Sequence, residues 1–134
     1  MAGQGLAARD RVRRRPEFER AYGSGVRIQG RFMTLFVLPN GGSIPRLGVA
    51  ATRKMGSAVE RNRAKRLARE LFRRQKLAVA LDVIIVPRRE MLDAPFATLK
   101  TDYNDALNRR HHARPAPSRR PAGNRGRSGT AKSV

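Results

Sequence analysis

The chain of 134 residues contains no cysteine, which excludes a disulfide framework and any thiolate metal site. Acidic side chains are scarce: 10 Asp and Glu stand against 30 Lys and Arg, a formal net charge of +20. An imbalance of this size points to a polyanionic partner, nucleic acid ahead of an anionic membrane surface. Long apolar runs are missing as well. The longest, "LAVALDVIIV", is short and interrupted by Asp82, so no bilayer span is expected. The opening "MAGQGLAARDRVRRR" has no apolar stretch of the secretory kind. These absences together fit a cytoplasmic protein without a membrane partner. Histidine is limited to His111 and His112, and the acids are scattered, with no pair placed for general acid–base chemistry. Zinc-ligand spacing, zipper heptads, a clear helix-turn-helix and internal repeats are all lacking. A catalytic or metal centre carried by the protein itself is therefore not expected, and no obligatory protein partner is evident.

What is present is a core with two basic ends. Residues 1–15 read as a flexible basic arm, 16–110 as one domain, and 111–134, rich in Pro, Arg and Gly and free of acids, as a disordered tail. The tail is either a solvated extension or a non-specific clamp on phosphates. In the core, "RPEFERAYG" predicts a short helix with Pro16 in its first turn. "GRFMTLFVLPNGG" predicts a strand, preceded by a short strand at Val26–Ile28. "RLGVAAT" (46–52) predicts the next strand, expected to pair with its predecessor as a hairpin. "LDVIIVPRR" predicts a buried strand ending at Pro87. "DAPFATLKTDYNDALNRR" predicts an amphipathic helix, with Asp93 near its start and Phe96, Leu99, Tyr103 and Leu107 facing the sheet.

The segment "TRKMGSAVERNRAKRLARELFRR" predicts the longest helix. Ser57 followed by Glu60 has the capping-box pattern. Ala64, Leu67, Ala68, Leu71 and Phe72 form one apolar stripe, while Arg61, Asn62, Lys65, Arg66, Arg69 and Arg73 occupy a broad different face. An ordinary helix would simply solvate that face. Here the repulsion at i, i+4 among Arg61, Lys65 and Arg69 costs stability unless a polyanion offsets it. Arg53, Lys54 and Gly56, just before the helix, add two cations and a permissive backbone beside its positive end, a natural phosphate site.

Phe18 and Tyr22 share a helical face, and strand alternation puts Phe32, Thr34 and Phe36 opposite Met33, Leu35 and Val37. The first set is either ordinary core or the lining of a groove in which aromatic rings stack on unpaired bases.

The run Arg53-Lys54-x-Gly56-x-Ala58-Val59-x-Arg61-Asn62-Arg63-x-Lys65-Arg66-x-x-Arg69-Glu70 resembles the signature of the bacterial ribonuclease P protein component. The resemblance extends from about Arg9 to Arg110, with "RLGV" and the Arg-x-x-x-Phe lead into the first helix. It implies an α+β fold, a two-layer α/β sandwich with a small mixed sheet, three helices and a left-handed β-α-β crossover, against the usual right-handed rule. It implies binding to the catalytic RNA subunit and to precursor tRNA. The holoenzyme is an endoribonuclease that removes the 5′ leader, with Mg2+ held mainly by the RNA. Carried onto this chain, the RNA-subunit surface is Arg53, Lys54, Arg61, Asn62, Arg63, Lys65, Arg66 and Arg69, and the leader-binding residues are Phe18, Tyr22 and Phe36. Phe32 is left to packing. Two other classes compete: a ribosomal or ribosome-assembly RNA binder without a substrate, and an architectural DNA-binding protein.

Overall fold

The computed structural model describes residues 10–111. Residues 1–9 and the tail beyond His111 lie outside the described residues. The element order is α1 (Arg15–Ser24), β1 (Val26–Gln29), β2 (Met33–Pro39), β3 (Arg46–Val49), α2 (Ala58–Arg74), β4 (Leu81–Pro87) and α3 (Phe96–Asn108), with 3-10 turns at Arg53–Met55, Arg89–Asp93 and Arg109–His111.

Local chemistry sets the helix ends. Pro16 lies in the first turn of α1, and Glu17 accepts the backbone N–H groups of Arg13 and Arg14, each at 3.2 Å. The expected capping box opens α2: Glu60 N–H donates to Ser57 Oγ at 3.2 Å, and Ser57 N–H to Glu60 Oε1 at 2.8 Å. Asp93 closes the preceding 3-10 turn instead of starting α3, whose cap position is Pro95. Proline serves there because a helix's first N–H groups have no intrahelical acceptor to lose.

The four strands form one mixed sheet in the order β1-β2-β4-β3. β1 and β4 pair antiparallel with β2, and β3 pairs parallel with β4, Leu47 opposite Val83. The expected β2–β3 hairpin is therefore corrected: β4 lies between them. The physical reason is burial. Five consecutive residues of β4, Leu81–Ile85, are buried, and a strand with so little polar surface belongs in the middle of a sheet. Parallel pairing of β3 with β4 needs a long crossover, which α2 supplies.

Alternation along β2 divides the interior. Met33, Leu35 and Val37 join Val83 and Ile85 beneath Ala68, Leu71 and Phe72 of α2 and Leu99, Tyr103 and Leu107 of α3. Phe36 and Ile84, on the other face, pack with Val12, Ala21 and Tyr22 under α1. Two details differ from the pattern. Phe32 precedes β2 and packs against the larger core, away from Phe36, because the chain turns at 30–32. There Asp102 of α3 accepts the N–H groups of Arg31 and Phe32, both at 2.8 Å. The basic arm also becomes ordered earlier than expected: Val12 is buried and its N–H donates to Leu47 O at 2.8 Å.

Candidate nucleic-acid interface

The basic surface is built on the turn leading into α2. Gly56 has φ 130 and ψ −146, a region open to glycine alone at little cost. A Cβ there would also collide with the Glu60 carboxylate and come within 2.8 Å of Arg89 Nη1. Two arginines hold this turn by its carbonyls. Arg89 Nη1 donates to Met55 O at 2.6 Å, and Arg61 Nη1 to Gly56 O at 2.8 Å. Arg53 and Lys54 are exposed on the turn so fixed.

The first turn of α2 already holds an anion of its own. Ser57 N–H and the Arg89 guanidinium both favour the charged Glu60 carboxylate and hold it below its ordinary value. The N–H groups of Ser57 and Glu60 are thus taken up by the cap, and Arg53 and Lys54 are the exposed cations beside it.

Along α2 the cations fall into two kinds. Arg61 and Arg63 each spend one donor on the fold, Arg63 Nη2 reaching Leu92 O at 2.9 Å. A guanidinium carries five N–H donors, so both keep free donors while being held in place. Asn62, Lys65, Arg66 and Arg69 have no side-chain partner among the described residues. Glu70 pairs with Arg73 at 2.9 Å and Arg74 at 2.6 Å. The Arg74 hydrogen bond, helped by the charges of Arg73 and Arg74, outweighs burial and keeps its carboxyl below its ordinary value. Among the described residues the middle of the helix is left without an ion-pair partner.

The aromatic residues do come together. Phe18 and Tyr22 have ring centroids 6.3 Å apart, and Tyr22 meets Phe36 edge to face at 5.0 Å. Their exposure differs. Phe36 is 2% exposed and Tyr22 7%, so both rings are buried, while Phe18 is half-buried. Gly48 makes this arrangement possible. A Cβ at that position would lie 2.9 Å from Phe18 Cζ and 3.0 Å from Val12 Cβ. A glycine inside a strand pattern was the available signal for that close approach.

Sequence reasoning missed the brace under α1. Arg46 donates through Nε and Nη2 to the two oxygens of Asp82, each at 2.8 Å, and through Nη1 to Glu17 Oε2 at 3.1 Å. Asn40 Nδ2 adds a bond to Asp82 Oδ1 at 3.1 Å. Burial pushes the Glu17 carboxyl up, but the N–H groups of Arg14 and Arg13 and the Arg46 guanidinium outweigh it, and the net displacement is downward. The Asp82 pair raises the Arg46 guanidinium above its ordinary value. The signal in the sequence was an aspartate inside "LDVIIV", which requires a buried partner.

Among the described residues no group of three or more His, Asp or Glu lies together as a metal site, and no helix is long and apolar enough to cross a membrane.

A family model described as Ribonuclease P matches residues 6–111. The chain is 35% identical over 101 residues to the ribonuclease P protein component of Caldanaerobacter subterraneus subsp. tengcongensis, covering 74% of this chain and 87% of that protein. It is 38% identical over 106 residues to the component of Oleidesulfovibrio alaskensis, covering 76% and 84%. The solved RNase P protein from Thermotoga maritima superposes with a TM-score of 0.67 at 30% identity, covering 74% of this chain and 96% of that one.

Proposed function

The chain belongs to the ribonuclease P protein family, and from that premise we propose how it acts as the protein component of the ribonucleoprotein. Its α2 surface docks on the catalytic RNA subunit, and its aromatic cluster receives the 5′ leader of precursor tRNA. The observation that carries the docking reading is the middle of α2, where Asn62, Lys65, Arg66 and Arg69 find no acceptor within the described chain. Arg53 and Lys54 extend this surface, and Arg61 and Arg63 present their remaining donors from anchored positions.

The mechanism is positioning. Hydrolysis of the leader phosphodiester takes place on the RNA, with Mg2+ held mainly there to activate water and neutralise developing charge. The protein's cations lower the repulsion between two polyanions, and the leader is held in one orientation by Phe18 at the open side of the cluster, with the Tyr22 edge beside it. Phe36 acts from beneath as the floor. Holding the scissile bond in register converts an encounter into an effectively intramolecular step. This work belongs in the cytoplasm, with RNA partners and no membrane.

The test mixes the full chain with bacterial ribonuclease P RNA and labelled precursor tRNA at low Mg2+. Site-specific cleavage is expected only when both macromolecules are present. Cleavage by rigorously RNA-free protein, or a rate with RNA that the protein does not change, would reject the reading.

A further inference from the structure

The segment before α1 runs beside the outer edge of the sheet. Arg11 forms a parallel bridge with Leu47, and neighbouring residues of an extended segment face opposite ways. Val12 accordingly enters the aromatic cluster under α1. Arg11 shares the side of Leu47, which belongs to the core under α2. The Arg11 Nε atom is buried and has no hydrogen-bond partner among the described residues. On α2, Arg66 and Arg69 are one turn apart, and Arg69 is half-buried. Burial first, and then the charges of Arg11 and Arg66, push the Arg69 guanidinium below its ordinary value.

Arg11 thus lies on the side of the sheet edge that α2 covers, where Arg66 and Arg69 have no ion-pair partner among the described residues. Among the described residues, the ion pairs join Glu17 and Asp82 to Arg46, Glu60 to Arg89, and Glu70 to Arg73 and Arg74. Like charges gathered at one edge, with Arg69 half-buried and a buried, orphaned donor on Arg11, are an unfavourable arrangement for the chain alone. An oxyanion that accepts several N–H bonds at once resolves it, and the guanidinium fork matches phosphate geometry.

We propose that Arg11, Arg66 and Arg69 form a single phosphodiester-binding site at the outer edge of the sheet, with Arg11 as a direct contact. The inference rests on α2 being an RNA-docking surface and adds to it a residue from outside the helix. The phosphodiester comes from the RNA subunit or from the precursor leader, and separate measurements distinguish them.

The experiment compares Arg11→Gln with Lys76→Gln, an exposed charge-matched control. In the free full-length protein, pyrophosphate is titrated while the arginine Nε–H resonances are followed. Saturable shifts of Arg66 and Arg69 are expected in the control and should be lost in Arg11→Gln. Arg66→Gln, at an exposed position, should likewise abolish the Arg11 and Arg69 shifts, which covers a folding defect in the first variant. In the RNA arm, affinity for the RNA subunit is measured against salt. Loss of one phosphate contact lowers the log–log slope by about 0.7–0.9. If that loss appears, the RNA subunit supplies the phosphate; if it appears only as weaker discrimination of precursor from mature tRNA by the holoenzyme, the leader does. Arg11→Gln matching the control in pyrophosphate shifts, slope and discrimination overturns the site while leaving the proposed function standing. Arg11-dependent pyrophosphate binding by a protein that fails to bind the RNA subunit upholds the site and rejects the function.

Discussion

Replacing Arg46 by methionine tests the brace that seats α1 on the sheet. The side chain's length is roughly kept, but Asp82, which is 0% exposed, is left with Asn40 as its remaining side-chain partner. Breaking a buried ion pair from one side costs about 3–5 kcal/mol. Arg46 itself keeps some contact with solvent, so the low end, about 3 kcal/mol, is the appropriate figure. With an unfolding entropy of about 0.2 kcal/mol/K for a domain of roughly 100 residues, that is a fall in Tm of about 15 °C. The brace also carries a pH dependence through Glu17. Its folded pKa is lowered, so its contribution is present above the unfolded carboxylate value and is lost below about pH 4. Circular dichroism melts across this range, with Arg46→Met/Asp82→Leu as a second variant, complete the test. Removing both charges should restore much of the loss. An Arg46→Met Tm within about 3 °C of the parent, where about 15 °C is expected, would refute the brace.

Tyr22→Leu should lower discrimination of precursor from mature tRNA by at most about 1 kcal/mol, the bottom of the stacking range, because Tyr22 is only 7% exposed. Equal loss for both tRNAs would remove Tyr22 from the leader site. Gly56→Ala should cost about 1–3 kcal/mol of stability through its positive φ, seen as a lower urea midpoint. An unchanged midpoint would show that the turn relaxes freely.

The parts of this protein legible in its sequence are the local ones. The start of α2 could be read from Ser57 and Glu60 because a capping box is closed within one turn. The apolar stripe of the same helix could be read from spacing alone. Pairing of β3 with β4 could not, because it depends on contacts made across the whole of α2, whereas adjacency in the chain favours a hairpin. Asp82 and Arg46 lie 36 residues apart, so each looked like half of an unknown pair. The same holds for Asp102 and the turn at Arg31. Arg11 was hidden for another reason: a single bridge residue leaves no alternating pattern. The aromatic cluster was assembled correctly from spacing, but how much of each ring remains open depends on where α1 settles, and that depends on Gly48 and the Arg46 brace.

The salt dependence of binding to the ribonuclease P RNA tests the docking of α2 most directly. Lys65→Gln, Arg66→Gln and Arg69→Gln combined remove cations that have no side-chain partner among the described residues, so the fold should persist. If each contacts a phosphate, the log–log slope of affinity against salt falls by about 2–3 relative to the parent. A folded triple variant with the parent's slope would contradict the account.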